Sequence, residues 1–431
     1  MLLTQTTPSV VRPRTYDAIG IGFGPSNLAL AAALRETAPT AAGFNFRFLE
    51  RSPTFVWHGN MLLDNSRMQI SFLKDLVTLR NPASRFSFIN YLHQKQRLQD
   101  FINLNTFYPS RHEFNDYLSW VADQFADHCD YGEEVLSVEP ELSGRKVQCL
   151  RVRSRSNSGQ ESERLAQNVV ISVGGSPRIP DEFQPWSAHP RVFHSSNYLD
   201  AISQLKHPKR VAIIGSGQSA AEIFLDLHDR DPNISVDMIS RAPAMRPADS
   251  SPFVNQIFNT DYTDYVYRQP SEDRQNLLYE FGNTNYAVAD LDLIESIFDV
   301  LYQQKVTSTQ RHNVFYRRRI GRVDVDQDAV ALEILSLDDS PQMTCRYDAV
   351  VLATGYNRQH HKELLKPLQK YFVNDEVGRD YRVETTPDCE AGIFLQGCCE
   401  ATHGLSDTLL SVLPIRAKEI VSAMSQTVTA G

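Results

Sequence analysis

The stretch Tyr16–Leu34, YDAIGIGFGPSNLALAAAL, contains an apolar strand, a glycine-rich turn and an apolar helix in direct succession. The same order of strand, turn and helix returns at Arg210–Glu222, RVAIIGSGQSAAE. Two further apolar strands, Val169–Gly174 and Ala349–Gly355, each end in glycine. Uninterrupted apolar strands that alternate with helices indicate parallel sheets that are covered by helices on both faces. The sequence therefore predicts an α/β protein with two Rossmann-like dinucleotide-binding domains.

The 431-residue chain has the composition of a globular protein, with 42% hydrophobic and 22% charged residues and a formal net charge of -9. This acidic balance disfavours nucleic acid as a partner, and no stretch approaches the about 20 apolar residues of a membrane span. Residues 1–14 contain no apolar core of signal-peptide length. The six cysteines show neither a CxxC pair nor the spacing of metal ligands. We therefore expect a cytoplasmic protein with free thiols, no metal site and no membrane span.

The second glycine turn fits the standard dinucleotide-binding pattern, because Gly215, Gly217 and Ala220 have the G-x-G-x-x-A spacing between a strand and a helix. The N-terminus of that helix offers free N–H groups to a pyrophosphate. The next strand, Ser235–Ile239, is followed by Ser240 and Arg241. An arginine at this place favours a ribose 2′-phosphate over a free hydroxyl, which predicts NADPH rather than NADH. The alternative is a solvated arginine after a strand.

The first glycine turn departs from the standard spacing, because Pro25 stands where the third glycine is expected after Gly20 and Gly22. The following strand ends at Glu50, whose carboxylate can accept hydrogen bonds from both ribose hydroxyls of an adenosine. Two glycine turns that can each receive a pyrophosphate, here called dinucleotide cradles, imply two dinucleotides. The simplest assignment is FAD to the first and NADPH to the second. The alternative is a chain in which one of the two cradles is functional.

The turns and strands divide the chain into three segments. Residues 1–200 are predicted to form the first part of the FAD-binding domain, and residues 201–343 the NADPH-binding domain. The strand at Tyr347–Ala353 is predicted to return to the first domain, so that residues 344–431 complete it. A segment rich in Phe, Tyr and Asn, at about 249–305, is predicted to be a helical insertion with a helix at Leu291–Gln303.

Several motifs, found in order over nearly the whole chain, resemble the flavin-dependent N-hydroxylating monooxygenases that act on ornithine and lysine, and most of all the bacterial ornithine 5-monooxygenases. They are GIGFGPSN (Gly20–Asn27), MQISFLKDLVTLR (Met68–Arg80), YPSRHEFNDY (Tyr108–Tyr117), GSGQSAAE (Gly215–Glu222), NTNY (Asn283–Tyr286), ATGY (Ala353–Tyr356) and HGLSDTLLSVLP (His403–Pro414).

The resemblance implies a reaction in which NADPH reduces FAD, O2 adds to the reduced ring, and the C4a-hydroperoxyflavin passes one oxygen to a primary amine. It implies that the helical insertion takes part in binding a carboxylated amine, L-ornithine or L-lysine. The implied substrate-binding residues are Lys74, Asn255, Asn285, Leu409 and Ser411. Taken alone, Lys74 would be read as a surface lysine, and the two asparagines as cap or turn residues.

The resemblance also implies the cofactor contacts. Those to FAD are Gly20, Gly22, Gly24, Ser26, Asn27, Glu50, Trp57, His58 and Gln69. Those to NADPH are Gly215, Ser216, Gly217, Gln218, Ser219 and Arg241, with Tyr356 at the junction of the cofactor domains. Asn285, Met68 and Gln69 are implied to act at the reacting centre, where exclusion of water prevents loss of H2O2. Core packing is the alternative for Met68, and a purely structural role is the alternative for Tyr356.

Other classes of protein fit the sequence less well. Flavoproteins that oxygenate ketones or sulfides lack the set Lys74, Asn255 and Ser411, and disulfide reductases need a redox cysteine pair. A sensor that binds NADPH without consuming it stays as a remote alternative. Ornithine and lysine differ by one methylene, which a pocket discriminates by only about 1–3 kcal/mol. We expect L-ornithine as the substrate, in an early step of hydroxamate siderophore biosynthesis, with L-lysine next and a diamine third. The resemblance also implies a homo-oligomer, and in particular a tetramer, because members of this family tend to be tetrameric.

Overall fold

The structure is a computed structural model, and it describes residues 15–37, 43–338 and 340–428. Residues 1–14, in which we predict no signal peptide, lie outside the described residues. Over the described residues, no helix is long and apolar enough to cross a membrane.

The strands are β1 (Thr15–Ile21), β2 (Phe46–Glu50), β3 (Cys129–Tyr131), β4 (Glu133–Ser143), β5 (Lys146–Ser156), β6 (Glu161–Ile171), β7 (Ser176–Pro177), β8 (Val192–His194), β9 (Arg210–Ile214), β10 (Ser235–Ile239), β11 (Asn313–Phe315), β12 (Arg318–Val325), β13 (Val330–Ser336), β14 (Met343–Tyr347), β15 (Ala349–Leu352), β16 (Tyr356–Asn357), β17 (Phe372–Val377), β18 (Val383–Thr385) and β19 (Gly392–Leu395). The helices are α1 (Pro25–Thr37), α2 (Phe88–Gln94), α3 (Leu98–Asn103), α4 (Arg111–Asp123), α5 (Tyr198–Gln204), α6 (Gln218–Arg230), α7 (Thr260–Arg268), α8 (Ser271–Phe281), α9 (Leu291–Val306), α10 (His360–Leu364), α11 (Glu400–His403) and α12 (Leu413–Val428).

The first sheet has the strand order β3-β2-β1-β6-β5-β4. Strands β3, β2, β1 and β6 run parallel, and β19 pairs in parallel with the last residues of β6. Helix α1 packs against α12, and its apolar residues from Leu28 to Leu34 are buried because both the sheet and α12 cover it. Strand β19 brings the C-terminal part of the chain back to this sheet. The α/β class predicted from the first strand–turn–helix unit is confirmed.

The second sheet is entirely parallel in the order β11-β10-β9-β15-β8. Our assignment of the strand at Tyr347–Ala353 to the first domain is therefore wrong, because β15 pairs with β9 and β8 in the second sheet. Strand β8, which falls in the segment that we gave to the first domain, belongs to the second sheet as well. The reason is physical: a fully buried apolar strand fits the interior of either parallel sheet, so its sequence does not select one.

A narrow neck joins the two parts of the molecule. Strand β7 pairs antiparallel with β16, so the chain enters and leaves the second sheet side by side. The Arg178 N–H donates to the Gly355 carbonyl at 2.9 Å and extends this pairing. Gly175 fits because a Cβ there would lie 2.7 Å from the Cβ of Tyr356. A separate antiparallel sheet, β12-β13-β14, packs on the second sheet through a common apolar core.

The predicted helical insertion lies between β10 and β11 of the second sheet. It consists of α7, α8 and α9 with short 3-10 turns at Val254–Phe258 and Gly282–Thr284. The helix predicted at Leu291–Gln303 is α9, and it continues to Val306. Helix α7 packs against α11, so the insertion reaches the C-terminal segment of the first domain.

Candidate active site

The first glycine turn is built for close approach of a ligand. Gly22 has φ +81°, and a Cβ there would lie 2.5 Å from the carbonyl oxygen of Ser172. A Cβ on Gly24 would meet nothing within 4 Å, so there is open space outside the turn where α1 begins. Pro25, the first residue of α1, does not prevent this, because the first N–H of a helix needs no partner within it. The turn is therefore an anion cradle despite its unusual spacing.

Glu50 closes this turn from the end of β2. One carboxylate oxygen accepts the Phe23 N–H at 2.7 Å, and the other accepts the Ser52 N–H at 2.8 Å. A carboxylate has about four acceptor positions, so two stay available for the hydroxyls of a ribose.

Asn27 supports the turn from inside the protein. Its side chain is fully buried and donates to the Gly22 carbonyl at 2.6 Å, while its carbonyl oxygen accepts from Gln396 at 2.9 Å. Ser26 accepts a hydrogen bond at 2.8 Å from Arg416, a residue that the sequence did not single out. Arg416 and Asp407 form an almost completely buried ion pair at 2.7 Å. Arg416, with its charge balanced by Asp407, therefore fixes the hydroxyl of Ser26 at the start of α1.

The second glycine turn has the same architecture. Gly215 has φ +132°, and a Cβ there would lie 2.4 Å from the Ala353 carbonyl oxygen, so β15 lies directly beneath the turn. Gly217 precedes the first residue of α6, and Ser219 lies in the first turn of that helix. The Ser216 hydroxyl is 2.8 Å from the hydroxyl of Ser240 at the end of β10. The glycines therefore lie in a tight turn between β9 and α6.

Arg241 follows directly after Ser240 and is exposed. It forms no ion pair with any described residue, so its guanidinium is available to an anionic ligand at this end of β10.

The side chain of Gln218 is occupied by protein contacts, which the sequence did not predict. Its amide nitrogen donates to Glu222 at 2.9 Å and to the Asp290 carboxylate at 3.0 Å. Its carbonyl oxygen accepts the backbone N–H of Asp290 at 2.9 Å. Glu222 in turn accepts two hydrogen bonds from Arg111, at 2.6 and 3.0 Å. At this position, only the backbone N–H of the helix is left for a phosphate.

The segment from Trp57 to Gln69 lies between the two sheets. Trp57 packs on the core of the first sheet, whereas Met61 and Leu63 belong to the core of the second. Met68 is buried in the first core, which agrees with the packing alternative that we stated for it. Gln69 is exposed and donates to Asp290 at 2.9 Å, so this loop reaches the second domain.

His58 lies in the same segment in a left-handed conformation, with φ 52°. Desolvation of the ring by surrounding protein atoms, with smaller contributions from the positive charges of Arg111 and Arg358, lowers the pKa of the imidazole to about 4, although the residue as a whole is exposed. The ring is therefore neutral at neutral pH, so one of its nitrogens can donate a hydrogen bond and the other can accept one.

Three of the predicted substrate-binding segments meet in the structure. The 3-10 turn that carries Asn255 packs against the turn at Leu405–Thr408, which leads to Leu409 and the buried Ser411. The hydroxyl of Tyr286, next to Asn285, lies 3.4 Å from the Thr408 hydroxyl. The Asn255 amide donates to the Ser250 carbonyl at 3.0 Å, while the side chain of Asn285 has no hydrogen bond to any described residue.

Lys74 lies on the loop of the first domain that follows Gln69, and no hydrogen bond joins it to those segments. It is half-buried and has no carboxylate partner among the described residues. Burial lowers the pKa of its ammonium group. A half-buried ammonium group without a partner is a suitable site for the carboxylate of a ligand.

Tyr356, which we predicted to lie at the junction of the cofactor domains, is the first residue of β16 in the neck. Its ring stands edge-on to that of His194, with 5.0 Å between the ring centroids. The Nε2 atom of His194 forms a hydrogen bond of 2.9 Å with the carbonyl oxygen of Gly355. These contacts give Tyr356 a structural role in the neck.

Comparison with known proteins gives the family. The family described as L-lysine 6-monooxygenase/L-ornithine 5-monooxygenase matches residues 14–358. The chain belongs to this family. It is 49% identical over 428 residues to the L-ornithine N(5)-monooxygenase of Pseudomonas aeruginosa, and the match covers 98% of this chain and 96% of that protein.

Two solved structures of monooxygenases agree with this placement. The ornithine hydroxylase from Pseudomonas aeruginosa has a TM-score of 0.93 at 49% identity, with 96% of this chain and 100% of that chain covered. The ornithine N-hydroxylase of Kutzneria sp. 744, solved with reduced FAD, NADP+ and L-ornithine, has a TM-score of 0.90 at 38% identity, with 96% and 99% covered. The resemblance inferred from the motifs is confirmed.

In this monooxygenase the charged residues that the sequence did not single out are Arg111, Glu222, Asp290, Asp407 and Arg416. Four of them lie within a motif that we quoted or just after one, and Asp290 directly precedes the helix predicted at Leu291–Gln303. One signal could have found two of them: Glu222 and Arg416 interrupt otherwise apolar helix faces, and a charge in such a place needs a partner.

Proposed function

We propose that the chain is an NADPH- and O2-dependent, FAD-containing monooxygenase that hydroxylates the side-chain amine of L-ornithine. The observation that carries the substrate class is Lys74, a half-buried cation without a partner among the described residues, in a chain with two dinucleotide cradles. The names of the relatives support ornithine within that class. When bound, the reduced flavin supplies the activation of O2, and the protein supplies binding, orientation and shielding.

The first turn fits FAD. Gly22 and Gly24 allow a pyrophosphate to approach the backbone, and Glu50 has two acceptor positions left for the adenosine ribose. The second turn fits NADPH, because Gly215 and Gly217 open the start of α6, and the exposed Arg241 can pair with a 2′-phosphate.

The reacting amine must lose its proton before it can act as a nucleophile. Its pKa near 10.4 makes this cost about 4–5 kcal/mol at pH 7. A carboxylate against the amine would raise that cost, whereas a neutral amide such as that of Asn285 does not. Lys74 and Asn255 would hold the carboxylate at the other end of the substrate, with Leu409 and Ser411 on the adjoining segment.

The deciding experiment pairs NADPH oxidation with detection of the hydroxylated amine for L-ornithine, L-lysine and putrescine. We expect hydroxylated product with L-ornithine and little with the other two. Product with L-lysine alone would replace the substrate but keep the reaction. NADPH oxidation that yields only H2O2 with all three would reject these substrates. No NADPH oxidation by the FAD-loaded protein would reject the monooxygenase and favour the NADPH sensor.

We further propose that the enzyme serves an early step of hydroxamate siderophore biosynthesis in the cytoplasm and acts as a homo-oligomer, with a tetramer as its size. An exposed apolar stripe on α9 supports the assembly, since Leu291, Phe298, Tyr302 and Val306 share one helix face and are each more than half exposed. Light scattering after gel filtration tests it: a monomeric mass would reject it. If Phe298→Glu dissociates the oligomer, this result would support the apolar stripe as the interface.

A further inference from the structure

One carboxylate joins three functional segments of the molecule. Asp290 accepts from the Gln69 amide at 2.9 Å on one oxygen and from the Gln218 amide at 3.0 Å on the other. Its backbone N–H returns a hydrogen bond to Gln218 at 2.9 Å. We call Gln69, Gln218 and Asp290 the Asp290 junction.

The carboxylate of Asp290 does not serve the helix that follows it. Asp290 is the N-cap residue of α9, yet its side chain accepts no hydrogen bond from the N–H groups of that helix. An N-cap aspartate ordinarily makes that bond, because it satisfies a free N–H of the first helical turn. Here both oxygens are directed to side chains on other elements, so the contacts of Asp290 are not explained by helix capping.

The three segments are those that the proposed reaction must bring together. Gln69 follows Met68 on the loop from the first domain, and Gln218 is the first residue of α6 beside the second glycine turn. Asn285 precedes Asp290 by a short stretch of the same insertion. The junction continues through Glu222 to Arg111 on the first domain.

The chemistry of a carboxylate fixes the orientation of both amides. An ionised carboxylate accepts hydrogen bonds but donates none, so Gln69 and Gln218 must each present their NH2 group to it. The carbonyl oxygen of Gln69 is then left as an acceptor, and it has no donor among the described residues. That oxygen suits an N–H donor of a bound dinucleotide.

We propose that Asp290 is a positioning residue that orients the Gln69 amide toward the bound cofactors and couples this orientation to the NADPH-binding helix. The coupling of NADPH use to hydroxylation rests on the proposed function, whereas the effect on NADP+ binding does not. Asp290→Asn keeps the shape but replaces one acceptor oxygen by a donor, so one of the two glutamines must turn over or lose its bond.

The test compares Asp290→Asn with Asp292→Asn in the FAD-loaded protein. Asp292 is exposed in the first turn of α9, and among the described residues its carboxylate accepts a hydrogen bond only from the neighbouring N–H of Leu293. It therefore controls for loss of negative charge at the helix start. We expect Asp290→Asn to raise the NADP+ dissociation constant of the oxidised protein on the order of tenfold. We also expect it to lower the hydroxylated product per NADPH, with Asp292→Asn unchanged in both.

Two further variants keep the test decisive if Asp290→Asn is poorly folded. Gln69→Met leaves both bonds between Asp290 and Gln218 in place, and it should cause the same loss of product per NADPH. The double variant, Gln69→Met with Asp290→Asn, should lose no more product per NADPH than Asp290→Asn alone, since the residues act as a unit.

Equal NADP+ affinity in the Asp290 and Asp292 variants, or additive losses in the double variant, would overturn the proposal. A wild-type protein that hydroxylates no amine would refute the proposed function, and the NADP+ titration would still decide the role of Asp290.

Discussion

Replacing Lys74 by methionine removes the cation to which we assign the substrate carboxylate, and keeps a side chain of similar length. A hydrogen bond between charged groups contributes about 1.5–3 kcal/mol. Lys74 is half-buried, so solvent screens part of the interaction and the lower end of that range applies, about 1.5–2 kcal/mol. At 1.36 kcal/mol per factor of ten, the KM for L-ornithine should rise about 10- to 30-fold.

The assay is steady-state hydroxylation over a range of L-ornithine concentrations, with NADPH saturating. The turnover number at saturating ornithine should change much less than KM, because Lys74 is assigned to the end of the substrate that does not react. Lys206→Met is the control, since Lys206 is an exposed lysine without an ion pair among the described residues. An unchanged KM in Lys74→Met, or an equal rise in the control, would show that Lys74 does not bind the carboxylate.

The pH dependence gives a second check on the same residue. Burial lowers the pKa of free Lys74 below 10.5, and a bound carboxylate would raise it again. The contribution of Lys74 to binding is therefore fully present below the pKa of the free protein, and it is lost as the pH rises from there through the higher pKa of the complex. The KM ratio between Lys74→Met and wild type should fall toward one as the pH rises through this range.

Three further changes test the cofactor sites and the link between the domains. Arg241→Ser should raise the KM for NADPH about tenfold and leave that for NADH unchanged, as measured by initial rates with each dinucleotide; equal effects on both would reject the 2′-phosphate contact. Glu50→Gln should weaken FAD binding about tenfold, because it removes the charge that accepts the ribose hydroxyls; FAD release followed by fluorescence measures it, and retention equal to wild type would reject that role. Glu222→Ala leaves Arg111 without its partner in a buried site, so the free energy of unfolding should fall by about 3–5 kcal/mol; urea unfolding with a fall below 1 kcal/mol would show that the ion pair contributes little.

The strand–turn–helix units at Gly20 and Gly215 were predictable because their signal is local: an apolar run, glycines at fixed spacing and a helix that follows. The partner strands were less predictable, as β15 shows, because the choice of sheet depends on pairing between residues far apart in sequence. The sequence of a continuous apolar strand does not indicate which strands it pairs with. We assigned β15 to the wrong domain for this reason.

In the candidate site, too, local features were predictable and long-range contacts were not. The motifs predicted that Asn27 and Gln218 lie at the two glycine turns, but they did not predict where their side chains point. Asn27 points into the protein toward Gln396, and Gln218 is held by Asp290. Both contacts span long stretches of chain, so no spacing rule reveals them. The pairing of Asp407 with Arg416 is close in sequence, yet it needs the buried start of α12 to be known.

The neck formed by β7 and β16 makes the second sheet and its helices an inserted module with adjoining ends. In the described part of the chain, it is connected to the first domain through two paired strands of two residues each. Because the ends lie together, the first sheet does not require the intervening residues in order to close. Residues 178–355 could therefore be exchanged as a cassette for the corresponding part of a relative. Such chimaeras would separate what the nicotinamide-binding module contributes to substrate choice from what the flavin-binding body contributes.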